Sequence, residues 1–165
     1  MTSGDEVAGA DRASRGREQG LGDWAAEERG WAEFVDLLEQ IPSERATEPG
    51  YFREGWSAKD VVGHLGTWLA EAGVAIERIR AGTYEAAEID IDALNAQFLA
   101  AMRDVPFDIV RLQAWSARSQ LRRQYFSLPP EPPAEATWWV RKAGPDHYAE
   151  HLPRLWEWVE ELRAR

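Results

Sequence analysis

Apolar residues recur at the spacing of an α-helix along most of this 165-residue chain, and no segment alternates polar and apolar residues as a half-buried strand would. Four stretches carry such a one-sided apolar stripe, and they span residues 24–41, 57–81, 92–128 and 145–162. Each stripe must be buried against a partner, and four amphipathic helices can bury all four stripes in one core. The pattern therefore predicts an all-α fold, a four-helix bundle.

Local signals predict where these helices begin and end. Ser57, followed three residues later by Asp60, has the pattern of a capping box and predicts the start of the second helix, which Gly82 ends. Pro106 lies inside the third stretch, so we expect either a kinked helix or two consecutive helices there. The run LPPEPPA at 128–134 predicts a stiff, extended loop.

The first 20 residues are small, polar and charged, without apolar periodicity. We expect a disordered tail over residues 1–20 and one bundle domain over residues 21–165. No apolar run has the length of a signal peptide or a membrane span. The chain contains no cysteine, which excludes disulfides and thiolate ligands and fits the reducing cytoplasm, where we expect the protein to act.

The excess of acidic residues argues against two classes of binding partner. Acidic residues outnumber basic residues 29 to 19, which gives a net charge of −10 at pH 7. A field of this sign repels the phosphates of nucleic acids and anionic membranes, so we expect neither as a partner. We expect a small-molecule substrate instead, and a homodimer stays open. Nine tryptophans provide enough indole surface to fill a core or line an aromatic pocket.

The three histidines of the chain lie where they can converge. His147 and His151 are four residues apart on the predicted last helix, so their imidazoles lie on one face, about 6 Å apart. His64 lies among apolar residues of the second helix and points toward the interior. Three protein ligands with a fourth position open are typical of catalytic zinc, although imidazoles also suit nickel and iron. The alternative is that each histidine is a core residue with a hydrogen-bond partner.

Three segments carry a resemblance to a known family. GWSAKDVVGHLGTW at 55–68 resembles the second helix of the DinB-like superfamily, to which the N-terminal domain of the mycothiol-dependent maleylpyruvate isomerases belongs. DHYAEHLPRLWEW at 146–158 resembles the last helix of that family, and IDIDALNAQFLAAMR at 89–103 is similar to the start of its third helix. The resemblance implies a DinB-like four-helix bundle in which His64, His147 and His151 bind a divalent metal.

The resemblance also implies a chemistry. Characterised members of the family bind a low-molecular-weight thiol, such as mycothiol or bacillithiol, at the open metal position, and the thiol then attacks an electrophile. Coordination lowers the pKa of a thiol, which makes this chemistry feasible at neutral pH. We therefore expect a metal-dependent thiol S-transferase or an isomerase-like enzyme, with Trp68 and Asn95 as candidates for binding the thiol cofactor.

Two other functions stay open. Glu150 completes the pattern H-x-x-E-H with His147 and His151, as in inverted zinc peptidases, where the glutamate is the general base. Glu150 is therefore a candidate catalytic residue of a metal-dependent hydrolase, against the alternative of a solvated helix glutamate. The second function is non-enzymatic, a resistance or stress protein that binds a small molecule in an aromatic cavity.

Overall fold

Six α-helices make up the architecture of residues 3–52 and 55–165, the part of the chain that the computed structural model describes. Their bounds are Ser3–Leu38 (α1), Ala58–Ala81 (α2), Ile91–Met102 (α3), Phe107–Phe126 (α4), Ala134–Ala143 (α5) and Pro145–Arg163 (α6). A short 3-10 helix, Ser43–Arg45, follows α1. No strand occurs within these ranges, so the all-α prediction is confirmed.

The number of helices differs from the four predicted. Pro106 separates α3 from α4, so the third stretch is two consecutive helices. The additional helix, α5, lies between the proline-rich loop and the Gly144–Pro145 step. Its buried residues recur at i, i+3, i+4 and i+7, but the helix is only ten residues long, shorter than the stretches in which helical periodicity is usually recognised. The buried residues of α5 are Ala136, Trp139, Val140 and Ala143.

The N-terminal segment also differs from the prediction. We expected a disordered tail over residues 1–20, whereas α1 begins at Ser3. The sequence of residues 3–20 lacks an apolar stripe, and its three alanines and three arginines, which favour a helix, are offset by four glycines, which disfavour one. Neither apolar periodicity nor intrinsic propensity therefore predicts a helix over these residues.

Helix α2 occupies the centre of the fold and contacts α3, α4, α5 and α6. Its start is the predicted capping box: Ser57 Oγ accepts from the Asp60 backbone N–H, and Asp60 Oδ2 accepts from the Ser57 N–H at 2.8 Å. Its end is the predicted left-handed glycine, since Gly82 has φ +70°. These caps satisfy backbone groups at both ends of the helix that carries His64.

Close packing against α4 fixes the position of α2. A Cβ atom at Gly66 would lie 2.7 Å from Ala114 Cβ and 2.8 Å from Ala114 Cα, closer than real side chains approach. A Cβ at Gly63 would lie 2.6 Å from the Met102 sulfur. The backbones of α2 and α4 can approach this closely at Gly66 only because this position has no side chain, and Gly63 leaves room for the Met102 side chain of α3.

A buried ion pair and its hydrogen bonds link the helices α1, α4 and α6. Glu27 of α1 is fully buried, and Arg118 of α4 donates to both of its carboxylate oxygens at 2.7 Å. The Tyr148 hydroxyl of α6 donates to the same carboxylate at 3.0 Å. The network therefore connects the helix that bears His147 and His151 to α1 and α4.

In the same described ranges, no helix combines the length and the apolar character needed to cross a membrane.

Candidate metal centre

The three histidines come together between α2 and α6, as expected in the sequence analysis. His64 Nε2 and His147 Nε2 are 2.8 Å apart, and one ligand nitrogen from each of the three residues lies within 4.8 Å of the other two. The imidazole of His151 completes the group, with its ring centroid 5.1 Å from that of His64 and 5.0 Å from that of His147. All three side chains are buried, with exposures between 5% and 9%.

Burial keeps these imidazoles neutral. Loss of hydration lowers the pKa of His64 to about 3 and that of His151 to about 4, because the charged form is poorly solvated there. The pKa of His147 falls to about 2 for the same reason, and the two neighbouring imidazoles lower it further. Neutral imidazoles are the form that binds a metal ion.

Each of the three rings has one nitrogen at hydrogen-bond distance from a neighbour. His64 Nε2 and His147 Nε2 form one hydrogen bond with each other. His151 Nδ1 lies 3.2 Å from the Tyr51 hydroxyl. His64 Nδ1 is buried and has no hydrogen-bond partner among the described residues. A buried polar nitrogen without a partner is costly, so His64 is not a fully satisfied core histidine.

The donor set fits a divalent metal ion. Zinc binds imidazole nitrogens at about 2.0–2.1 Å, which places tetrahedral ligands about 3.3 Å from one another. His64 Nε2 and His147 Nε2 are 2.8 Å apart and no pair of ligand atoms exceeds 4.8 Å, so small side-chain shifts suffice to reach that geometry. Their role as metal ligands stays a prediction.

A cleft of about 710 Å³ opens over the three histidines. Four tryptophans line it: Trp56, Trp68, Trp138 and Trp139. Its polar side chains besides the histidines are Asn95, Lys142 and Glu150. A large apolar cleft with a few convergent polar groups has the character of a small-molecule site.

The structure places the other predicted site residues at this cleft. Trp68 Nε1 donates to Asn95 Oδ1 at 2.9 Å, so the two candidate thiol-binding residues form one hydrogen-bonded unit. An indole N–H can only donate, so the amide oxygen of Asn95 faces Trp68 and its NH₂ group is available to other acceptors. Glu150 also lines the cleft but is exposed to solvent. Asp60 caps α2, as predicted.

Several cleft residues escaped the sequence analysis because they belong to α5 or to loops. Trp138, Trp139 and Lys142 come from α5, which was not predicted. Trp139 Nε1 donates to the Tyr84 hydroxyl at 3.1 Å, which ties α5 to the loop after α2. The apolar spacing within α5 could have predicted this helix. In contrast, no sequence pattern pointed to Tyr51, which lies in the loop before α2.

Comparisons with known proteins show a shared fold. No family model matches the chain, and no curated protein matches it significantly. The structure is similar to the crystal structure of an uncharacterised protein from Escherichia coli UTI89, with a TM-score of 0.73 and 14% sequence identity. The match covers 86% of this chain and 93% of that chain. At this identity the likeness concerns the fold alone, and the resemblance to the DinB-like superfamily stays a prediction.

Proposed function

We propose that this chain is a metal-dependent enzyme that transfers a low-molecular-weight thiol to a small electrophile. The observation that carries the proposal is the cluster of three buried imidazoles beneath an open aromatic cleft. In this proposal His64, His147 and His151 hold one divalent ion, with zinc as the first choice. Three protein ligands leave room for a small molecule to coordinate from the cleft.

Each group has a distinct task. The metal ion, when bound, lowers the pKa of a thiol that coordinates it. The tryptophans that line the cleft bind apolar parts of the reactants and exclude water, which favours a sulfur nucleophile over competing hydrolysis. The Asn95 NH₂ group, oriented by Trp68, offers hydrogen-bond donors to an acceptor oxygen of a reactant.

Cleft size and composition support a reaction between two small molecules. Typical small-molecule sites have volumes of about 300–1,000 Å³, and this cleft, at about 710 Å³, has room for a thiol and an electrophile together. The chain contains no cysteine, so a sulfur nucleophile has to come from a second small molecule.

A metal-dependent hydrolase is the second candidate, and one observation favours it. Glu150 is the carboxylate among the described residues that line the cleft, and it shares α6 with His147 and His151. It is therefore available as a general base for water. A non-enzymatic binding protein would use the same aromatic walls but would show no turnover.

Metal content is the first test. Protein purified without a polyhistidine tag should contain close to one divalent ion per chain, lost on treatment with a chelator, and His147→Ala should lose most of it. Zinc added to the metal-free protein should raise the melting temperature of the wild type but not of His147→Ala. At a free zinc concentration 100 times Kd, the stabilisation is about 2.7 kcal/mol. A wild type that binds neither zinc nor nickel would contradict the proposal.

Turnover separates the three functions. With 1-chloro-2,4-dinitrobenzene as a probe electrophile, activity should require both the metal and an added thiol, with mycothiol, bacillithiol and glutathione compared. Glu150→Gln should leave thiol transfer largely intact, because a coordinated thiol of lowered pKa needs no separate base. Activity on ester or amide substrates without thiol, lost by orders of magnitude in Glu150→Gln, would support the hydrolase. Tight ligand binding without any turnover would support the binding protein.

A further inference from the structure

We infer that Tyr51 is a positioning residue that sets the tautomer and orientation of His151, so that Nε2 of this histidine presents its lone pair to the metal. The inference rests on the proposed function in one respect, since it takes His151 as a metal ligand. It adds a residue from outside the helices that carry the histidines. Tyr51 lies in the loop that precedes α2, and its side chain is fully buried.

The direction of the hydrogen bonds follows from the atoms involved. The Tyr51 hydroxyl oxygen lies 3.0 Å from the backbone oxygen of His151 and 3.2 Å from its Nδ1. A carbonyl oxygen can only accept, so the single hydroxyl hydrogen of Tyr51 is donated to it. The hydroxyl oxygen is then the acceptor toward Nδ1, and Nδ1 must carry the imidazole hydrogen. A neutral imidazole carries one such hydrogen, so Nε2 is left with its lone pair free.

The backbone of Tyr51 is held from two directions. Arg154, less than one turn after His151 on α6, donates from Nε to the Tyr51 carbonyl oxygen at 2.5 Å and from Nη2 to the Gly50 carbonyl oxygen at 2.9 Å. The backbone N–H groups of Gly50 and Tyr51 both donate to the Trp56 carbonyl oxygen, at 2.9 Å and 2.7 Å. Helix α6 therefore positions the loop whose tyrosine in turn orients His151.

The hydrogen bond between Tyr51 and His151 should strengthen the binding of a metal ion. The second nitrogen of a metal-binding histidine commonly donates to an oxygen acceptor, which fixes the ring and its tautomer. Without Tyr51, His151 can adopt the tautomer in which Nε2 carries the hydrogen and cannot bind a metal ion. The ring also becomes free to rotate, which adds an entropic cost to binding.

The first test is a zinc titration of two matched variants. Tyr51→Phe should weaken zinc binding by about 10- to 100-fold, the usual effect of removing such a partner, in a competition assay with a chromophoric chelator. Tyr148→Phe is the control, because Tyr148 is equally buried and adjacent to His147 but donates to Glu27. Its zinc affinity should stay within about threefold of the wild type. Equal affinities for Tyr51→Phe and wild type, or equal losses in both variants, would overturn the inference.

The second test uses the metal-free wild-type protein and needs neither a variant nor a metal. Long-range ¹H–¹⁵N correlation spectra of the imidazole rings distinguish the two neutral tautomers. His151 should show the hydrogen on Nδ1, and the Nε2–H tautomer in the wild type would overturn the inference even if Tyr51→Phe failed to fold. Because this measurement contains no metal, it also separates the two proposals. Correct tautomer without zinc binding would refute the metal-dependent enzyme and leave the contact between Tyr51 and His151 established.

Discussion

Burial of the three imidazoles links the stability of the metal-free protein to pH. The folded pKa values of about 3, 2 and 4 for His64, His147 and His151 lie below the ordinary value of 6.5. As the pH falls through 6.5, the unfolded chain takes up protons that the folded chain does not, so the folded state loses stability. Stability is therefore full above pH 6.5 and declines toward the folded pKa values.

We expect the metal-free protein to lose about 1 kcal/mol per pH unit for each buried histidine between pH 6.5 and 5. Urea denaturation in the presence of a chelator measures this slope, and the window stops at pH 5 because carboxylates begin to titrate below it. His151→Gln has one titrating group fewer and should show a shallower slope. A free energy of unfolding that does not change between pH 7 and 5 would contradict the burial of neutral imidazoles.

At the scale of elements, the contact between α2 and α4 positions His64, and it depends on glycine. Gly66→Ala would place a Cβ 2.7 Å from Ala114 Cβ and 2.8 Å from the Ala114 backbone, which α4 can relieve only by moving away. We expect a destabilisation of about 1–3 kcal/mol, the usual cost of overpacking, measured by urea denaturation. Weaker zinc binding should accompany it, because α2 carries one of the three ligands.

Gly22→Ala is the matched control for this substitution. Gly22 also lies inside a helix, but a Cβ there meets nothing within 4 Å. Since alanine has the better helix propensity, this variant should be more stable by about 0.5–1 kcal/mol. A Gly66→Ala protein as stable as Gly22→Ala would show that the two helices do not approach as closely as the structure has them.

At the scale of the whole molecule, the buried carboxylate of Glu27 joins α1, α4 and α6. Arg118→Met keeps an apolar side chain beside Trp24 and Trp31 but leaves Glu27 buried without its cation. We expect a loss of about 3–5 kcal/mol, the usual result of breaking one side of a buried pair. The free energy of unfolding from urea titration, at neutral pH, measures it.

Two further variants test the cause of that loss. Arg163→Met removes one side of an exposed pair with Glu160, so it should cost no more than about 1 kcal/mol. The double variant Glu27→Gln with Arg118→Met should recover part of the stability, because no unpaired charge stays buried. A double variant no more stable than Arg118→Met alone would show that the stranded carboxylate is not the cause of the loss.

The sequence by itself determined the local features of this protein. The helical class, both ends of α2, the break at Pro106 and the start of α6 follow from periodicity and capping, which are properties of short segments. The shared face of His147 and His151 also follows, since residues four apart on a helix are neighbours. Helix α5 was not predicted because its pattern is short, and the helical start of α1 was not predicted because residues 3–20 carry no apolar stripe.

The tertiary structure alone decided the composition of the site. Whether His64 meets His147 depends on how α2 and α6 pack, and the residues are separated by 83 positions in the chain. Tyr51 and His151 are 100 positions apart, and their contact depends on the loop that Arg154 holds. Burial, and with it the neutral state of the imidazoles, is likewise set by all the helices together. Local pattern specifies which face of a helix is apolar, whereas the packing of several such faces at once determines which side chains meet.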